Sequence, residues 1–186
     1  FGGRDVTPEV YARMVAEVAQ YVAPFAAEHA TDLRDMHLLG TSGTVTTLAG
    51  IHLNLARYDR RRIDGVWMND SDVTDVIARL LGMSYQERAD NNCISIERAD
   101  LVLAGCAILD AIRDAFPLPR LRVADRGLRE GMLVEMMREA GASARLDAEG
   151  LQHDGFDIAL AGRLHHIDLH GLTGGKRVTI YGQTEL

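Results

Sequence analysis

The chain contains the stretch Leu38-Leu39-Gly40-Thr41-Ser42-Gly43-Thr44-Val45-Thr46-Thr47-Leu48-Ala49, in which an apolar run, a turn of small residues and a helical pattern follow one another. The apolar run begins at Met36 and closes on Gly40, and the helical pattern extends from Val45 to Leu55. Such a succession is typical of a buried strand, a tight turn and a helix. We therefore predict a strand-to-helix unit here, which indicates an α/β fold.

The turn from Gly40 to Thr44 has the composition of an anion-binding site. Backbone N–H groups and the positive end of a helix converge on an anion at such a turn, and small residues let the anion approach closely. The same residue types also form ordinary tight turns with a helix cap, so the residues alone leave both interpretations open. A Walker loop is excluded because neither Gly-Lys-Ser nor Gly-Lys-Thr follows.

Outward from this unit, the patterns predict several helices and a second strand. Thr7 and Pro8 start a helix that we expect to end or kink at Pro24, because proline removes a backbone donor. The other predicted elements are helices over residues 72–81 and 97–116, a short capped helix after Ser84, a strand over 121–124 and a helix over 128–139.

The pattern changes after about Gly141, where glycine becomes frequent and helical periodicity fades. Strands are predicted over residues 156–160, 164–169 and 177–181, with a hairpin turn at Gly174-Gly175. We therefore predict a domain over residues 1–140 and a tail of uncertain structure over 141–186. That tail is a meander, a flexible extension or a segment foreign to the rest of the chain.

Composition limits the classes of function. The 186 residues are 47% hydrophobic and 25% charged, as in globular proteins, and no apolar run approaches the roughly 20 residues that span a bilayer. The net charge of -7 argues against a general affinity for nucleic acid. Cys93 and Cys106 lie in or near apolar sequence and form no CxxC pair, which predicts reduced, buried thiols and a cytoplasmic protein.

Three stretches resemble one enzyme family in the order in which they occur. The first is residues 38–49, followed by Tyr58-Asp59-Arg60-Arg61 and Gly65. The second is Arg98-Ala99-Asp100 with Ala104-Gly105-Cys106-Ala107-Ile108-Leu109, and the third is Ala124-Asp125-Arg126-Gly127-Leu128-Arg129-Glu130-Gly131-Met132-Leu133. Residues 1–138 are thereby similar to the C-terminal part of the phosphatase domain of the exopolyphosphatase and guanosine pentaphosphatase (Ppx/GppA) family.

The resemblance implies the later part of the second lobe of an actin-like (ribonuclease H-like) fold, rich in helices with a few strands. Members of the family use water and Mg²⁺ to release the terminal phosphate of polyphosphate or the 5′ phosphate of guanosine pentaphosphate. Their Asp-x-Gly-Ser-Asn-Ser and Asp-x-Gly-Gly-Gly-Ser loops do not occur in this sequence. We therefore expect the chain to be internal to a longer protein, to contribute substrate-binding surface and to be inactive by itself.

In the complete enzyme, the resemblance implies that Mg²⁺ is bound by the missing part and that the protein is a homodimer. The substrate, polyphosphate or guanosine pentaphosphate, is then the expected partner of the chain. The alternative hypothesis is a non-catalytic module that binds polyphosphate or nucleotide or mediates oligomerisation. Both interpretations expect that this chain alone does not hydrolyse the substrate.

The residues predicted to contact substrate are Ser42, Gly43, Thr44 and Arg98. In actin-like proteins the segment corresponding to residues 42–44 faces a nucleotide. Arg98 stands at the start of a predicted buried helix, and its guanidinium group suits bidentate contact with phosphate. An ion pair with Glu97 or Asp100 is an equal alternative for Arg98.

Three further groups of residues carry weaker signals. One group is a run of basic residues that forms either a surface for binding polyphosphate or a solvated loop, namely Arg57, Arg60, Arg61 and Arg62. Arg126, Arg129 and Glu130 either position the turn after the second strand near the substrate cleft or hold that turn in place, and the structural role is favoured. His166, Asp168 and His170 would share one face of a strand, next to His165, but exposed imidazoles are favoured over a metal site there.

Overall fold

The computed structural model describes the backbone of residues 3–139, 144–147, 150–153 and 156–159, and the side chains of residues 3–136. Contacts divide the chain into one unit over residues 1–125 and another over residues 126–186. Within these described ranges, no helix has the length and apolar character required to cross a membrane.

A three-stranded sheet organises the first unit. Its strands are β1 (Leu38–Gly40), β2 (Trp67–Asn69) and β3 (Arg120–Val123), in the order β1-β3-β2. β1 and β3 are parallel, with Leu38 opposite Leu121, whereas β2 is antiparallel to β3. Because β1 and β3 are parallel, their carboxyl ends meet at one edge of the sheet, where the Ala124 N–H donates to the Gly40 carbonyl at 2.9 Å.

Helices pack against one face of this sheet and contribute most of the core. In chain order they are α1 (Pro8–His29), α2 (Gly43–His52), α3 (Arg60–Ile63), α4 (Asp70–Leu81), α5 (Tyr85–Ala89), a 3-10 turn (Ile96–Arg98) and α6 (Val102–Ala115). Leu48 of α2, Leu80 of α4 and Leu103 of α6 are buried in one apolar cluster with Met68 and Val123 of the sheet. The predicted strand-to-helix unit is confirmed.

The second unit contains α7 (Leu128–Glu139), β4 (Ala144–Asp147), β5 (Gly150–His153) and β6 (Phe156–Ala159). The three strands form an antiparallel sheet in the order β4-β5-β6. The predicted strand at 156–160 corresponds to β6, whereas β4 and β5 were not predicted. The strands expected over 164–169 and 177–181, the Gly174-Gly175 turn and the histidine group at 165–170 lie outside the described residues.

Two predicted helix boundaries are wrong. The first helix does not end at Pro24 but continues to His29. Pro24 and Gln20 are both exposed, so the Gln20 carbonyl that loses its donor can bind water instead. The helix predicted over 97–116 is interrupted, since a 3-10 turn ends at Arg98 and α6 begins at Val102.

The predicted helix caps and thiols are confirmed. Thr7 accepts a hydrogen bond from the Val10 N–H, and Ser84 forms a capping box with Glu87. Cys93 and Cys106 are free and buried. Burial, with a smaller contribution from Asp110, raises the pKa of Cys106 to about 12, which keeps that thiol protonated and unreactive.

α6 approaches the first turn of α2 closely because residue 105 is glycine. A Cβ atom at Gly105 would lie 2.1 Å from Oγ1 and 3.0 Å from Cγ2 of Thr44, which is shorter than any ordinary contact. A Cβ atom at Gly40 would lie 2.6 Å from Cγ1 of Val45. The turn between β1 and α2 therefore requires glycine both at its start and in the helix that packs against its end.

Arg88 ties three segments together. Its side chain is only 2% exposed, and its guanidinium group donates to backbone carbonyls instead of carboxylates. Nε donates to Ala99 at 3.1 Å, Nη1 to Met83 at 2.6 Å, and Nη2 to Gly3 at 3.1 Å and Arg4 at 2.8 Å. This one side chain thus holds the residues before α1 and the residues before α6 against α5.

We predict that Arg88→Leu lowers the free energy of unfolding by about 3 kcal/mol, because four buried or half-buried carbonyls lose a charged donor. Urea unfolding monitored by circular dichroism measures the change. Arg79→Leu is the matched control, since Arg79 is exposed on α4, and it should change the free energy by about 0.5 kcal/mol or less. Equal effects of the two substitutions would contradict the role assigned to Arg88.

Gly105→Ala should destabilise the chain by about 1–3 kcal/mol, because the new methyl group overlaps Thr44. Gly131→Ala is its control: Gly131 also lies in a helix, but among the described residues no atom beyond its own helix backbone and its chain neighbours lies within 4 Å of a Cβ atom placed there. That substitution should stabilise the chain by about 0.5–1 kcal/mol through helix propensity. Thermal unfolding of both variants measures the two changes, and a Gly105→Ala variant at least as stable as the wild type would show that the Thr44 contact is unimportant.

Candidate functional site

A small cavity lies at the N-terminus of α2, and we call it the Arg98 cavity. Its volume is about 270 Å³. The lining residues come from the first turns of α2 and from the segment that leads into α6, namely Gly43, Thr44, Thr47, Arg98, Leu101 and Val102. The structure therefore brings three of the predicted contacts, Gly43, Thr44 and Arg98, to one place.

The first turn of α2 presents backbone donors at this cavity. Ser42 has an extended backbone, and its Oγ accepts from the Val45 N–H at 3.3 Å, which caps the helix. The Thr46 hydroxyl donates to the Gly43 carbonyl at 3.1 Å. The first N–H groups of a helix have no acceptor within the helix, so those of Gly43 and Thr44 suit an incoming anion. Ser42, the fourth predicted contact, acts as the cap and does not line the cavity.

The Arg98 guanidinium group lies against Gly43. A Cβ atom on Gly43 would be 2.6 Å from Nη1 and 3.0 Å from Cζ of Arg98, so only glycine leaves room for this arrangement. Arg98 is exposed and makes neither a side-chain hydrogen bond nor an ion pair within the described residues. Its donors therefore face the same space as the N–H groups of α2.

The alternative ion pairs of Arg98 do not form in the structure. The salt bridges among the described residues join Arg98 to neither Glu97 nor Asp100. The pKa of Glu97 is lowered, chiefly by a hydrogen bond from Ser95 and only to a smaller extent by the charge of Arg98. The guanidinium group is therefore left available for a ligand.

A second group of polar residues joins the turn after β3 to the loop at residues 58–64. The Tyr58 hydroxyl donates to Oδ2 of Asp125 at 2.8 Å, and Arg60 Nε lies 3.5 Å from the same carboxylate oxygen. Asp64 accepts from the Asp125 N–H at 2.8 Å. Burial and the hydrogen bond to Asp125 raise the pKa of Tyr58 to about 12, despite an opposing hydrogen bond with Thr46. This network fixes the carboxyl end of β3 next to the first turn of α2.

Sequence reasoning noted the motifs around Tyr58 and Asp125 but missed that they meet. The two residues are 67 positions apart, so no local pattern could pair them. Arg60 is bound to Asp125 and is therefore not available to bind polyphosphate in the predicted basic loop. Arg57, Arg61 and Arg62 are exposed.

The turn before α7 is held by one of the residues expected to hold it. Glu130 accepts a hydrogen bond from the Gly127 N–H at 2.8 Å, in agreement with the predicted structural role. Within the part of the chain that the structure describes, no group of three or more histidine, cysteine and acidic side chains could hold a metal ion.

A larger cleft, of about 1030 Å³, lies among α1, α4 and α6. Its polar lining includes Asp70, Asp110 and Asp114, which repel phosphate. Arg113 also lines this cleft, but it is 10% exposed and is held at 2.6 Å by Asp110 and at 2.7 Å by Asp70. The charge of that arginine is already balanced, so the Arg98 cavity is the better candidate for an anion.

Parts of the chain are similar to two different kinds of protein, and the two matching ranges of residues overlap. The profile described as FAD binding domain matches residues 104–186. The p-hydroxybenzoate hydroxylase of Acinetobacter baylyi is 42% identical over 60 residues, which is 32% of this chain and 15% of that enzyme.

The sequence lacks the glycine motif that holds a dinucleotide in many FAD binding domains. A G-x-G-x-x-G fingerprint is absent from the sequence. In the described part of residues 104–186, β3 leads into α7 through residues 124–127, and this short connection contains one glycine, Gly127, and one carboxylate, that of Asp125. A carboxylate at this turn disfavours a pyrophosphate, so the residues present do not fit the cofactor and no flavin chemistry follows from them.

The other likeness covers most of the chain. The profile of the Ppx/GppA phosphatase family matches residues 1–140. Exopolyphosphatase 2 of Mycobacterium tuberculosis is 24% identical over 102 residues, which is 53% of this chain and 32% of that protein. The chain thus spans about a third of the length of this curated relative.

Solved structures give the same result. One structure of the Aquifex aeolicus Ppx/GppA phosphatase is 26% identical, with a TM-score of 0.61 over 69% of this chain and 41% of that chain. Another structure of the Aquifex aeolicus protein is 25% identical, with a TM-score of 0.64 over 74% of this chain and 43% of that chain. An exopolyphosphatase from Cytophaga hutchinsonii shares the fold at 19% identity, with a TM-score of 0.62 over 72% of this chain and 43% of that one. The predicted α/β, actin-like fold is confirmed, and the chain belongs to the Ppx/GppA phosphatase family.

Proposed function

We propose that the chain is the substrate-binding part of a phosphatase that acts on phosphoanhydrides, either polyphosphate or guanosine pentaphosphate. A phosphate group of the substrate binds in the Arg98 cavity, between the N-terminus of α2 and the Arg98 guanidinium group. The observation that carries the proposal is the position of Arg98 Nη1 against Gly43, while the guanidinium group makes neither a side-chain hydrogen bond nor an ion pair within the described residues.

The chemistry of the cavity supports a phosphate ligand. The N–H groups of Gly43 and Thr44 supply dipoles, and Arg98 supplies a full positive charge and a planar pair of donors. Thr44 and Thr47 add hydroxyl groups that can donate to phosphate oxygens. Leu101 and Val102 supply the apolar part of the lining beside these donors.

Hydrolysis requires groups beyond this cavity. Phosphoryl transfer to water needs a metal ion that spreads the developing charge and a carboxylate that orients the water. Aspartate and glutamate side chains do not line the Arg98 cavity. We propose that Mg²⁺ and the catalytic carboxylate are held by residues outside this chain, so that the chain binds substrate without cleaving it. The homodimer expected for the complete enzyme stays a prediction.

The first test is binding of tripolyphosphate to the purified chain, measured by isothermal titration calorimetry. Arg98→Gln should weaken binding about tenfold, since one charge-assisted contact contributes about 1.5 kcal/mol or more. Arg13→Gln, an exposed substitution on α1 with the same change of charge, should leave the affinity nearly unchanged. Equal affinity in the wild type and Arg98→Gln would refute the site.

Phosphate release in the presence of Mg²⁺ is measured on the same samples. The purified chain should release none above background from polyphosphate. Hydrolysis by this chain would contradict the proposed division between binding and catalysis.

Flavin binding is a second candidate function, favoured by the profile match over residues 104–186. Because the described residues of that range do not fit a dinucleotide, we expect the purified chain to carry no visible flavin absorbance and to retain no FAD in equilibrium dialysis. Retention of stoichiometric FAD would instead assign residues 104–186 to a flavoprotein.

A further inference from the structure

Four planar side chains form an exposed platform on the sheet, which we call the arginine-tryptophan platform. Its members are His37, Trp67, Arg120 and Arg122. Trp67 lies opposite Arg122 in the β2–β3 ladder, and Arg120 lies two residues before Arg122, so all three side chains project from one face of the sheet. Leu121 and Val123, which alternate with them, are buried in the core. The platform therefore lies on the face that points away from the core cluster.

The indole ring holds both guanidinium groups in place. The Cζ atoms of Arg120 and Arg122 lie 4.7 Å and 5.2 Å from the centre of the Trp67 ring, and the His37 ring meets it edge-on at 4.8 Å. Such stacking restricts the rotamers of arginine before any ligand arrives. A ligand that binds these groups loses less side-chain entropy than one that must order free arginines.

The two charges have no counter-charge within the described residues. Arg120 and Arg122 are exposed and take part in neither an ion pair nor a side-chain hydrogen bond there. Asp70, the acidic residue next to the end of β2, is held instead by Arg113 at 2.7 Å. In a chain of net charge -7, two adjacent guanidinium groups with all their donors unused form a local site of opposite sign.

We propose that the arginine-tryptophan platform binds a second segment of inorganic polyphosphate, through residues other than those that hold a phosphate group in the Arg98 cavity; this inference rests on the proposed function. Two neighbouring guanidinium groups fit a ligand that carries several linked phosphates better than a single phosphate. Single-stranded nucleic acid fits less well, because the arginines already stack on the ring on which a base would stack. The platform thus favours long chains over short ones.

The test compares tripolyphosphate with long-chain polyphosphate by calorimetry on the complete 186-residue chain. Arg120→Gln/Arg122→Gln should weaken binding of the long chain about tenfold and leave that of tripolyphosphate within about twofold. Trp67→Leu keeps the charge but removes the stacking surface, so it should weaken long-chain binding as well. Arg13→Gln/Arg129→Gln, in which both arginines are exposed, is the control for net charge.

The outcomes separate this inference from the proposed function. If the control variant loses as much long-chain affinity as the platform variant, or if tripolyphosphate loses as much as the long chain, the platform is not a separate site. Tighter binding of a single-stranded oligonucleotide than of polyphosphate would also overturn the proposal. Failure of Arg98→Gln to weaken tripolyphosphate binding would count against the Arg98 cavity alone. Circular dichroism of each variant verifies that the fold is retained.

Discussion

The close contact between α6 and the first turn of α2 determines where the groups that line the Arg98 cavity lie. It exists because Gly105 has no side chain, so that Thr44 can occupy the space of a Cβ atom. With α6 in this position, Leu101 and Val102 form the wall of the Arg98 cavity. Arg88 then fixes the segment before α6 through the Ala99 carbonyl, next to the residue whose guanidinium group lies against the α2 N-terminus.

The proposed division between substrate binding and catalysis follows from the chemistry of the two steps. Helix N–H groups and arginine stabilise phosphate charge in the ground state, whereas cleavage also needs a metal ion and a positioned water. The parallel pairing of β1 and β3 places the turn at Gly40 and the Tyr58–Asp125 network at one edge of the sheet. The arginine-tryptophan platform lies on the face of this sheet that points away from the core. The chain therefore presents two cationic groups, one on this face and one in the Arg98 cavity.

The two ranges that match known protein families overlap over residues 104–140. The Ppx/GppA profile ends at residue 140, whereas the FAD binding domain profile begins at residue 104. The shared range contains α6, β3 and α7, a helix-strand-helix succession that many α/β folds contain. The FAD likeness extends through the tail at 141–186, which favours the prediction that this tail is foreign to the phosphatase family.

The sequence by itself determined the local elements and the family: the β1 turn, the caps at Thr7 and Ser84 and the buried cysteines follow from short-range patterns. It could not show that α1 passes through Pro24, since that depends on which carbonyl faces water. Nor could it show that Arg98 forms no ion pair with Glu97 or Asp100 within the described residues, or pair Trp67 with Arg120 and Arg122. Those outcomes depend on contacts between residues distant in sequence, which only the packing of α6 on α2 and the pairing of β2 with β3 decide.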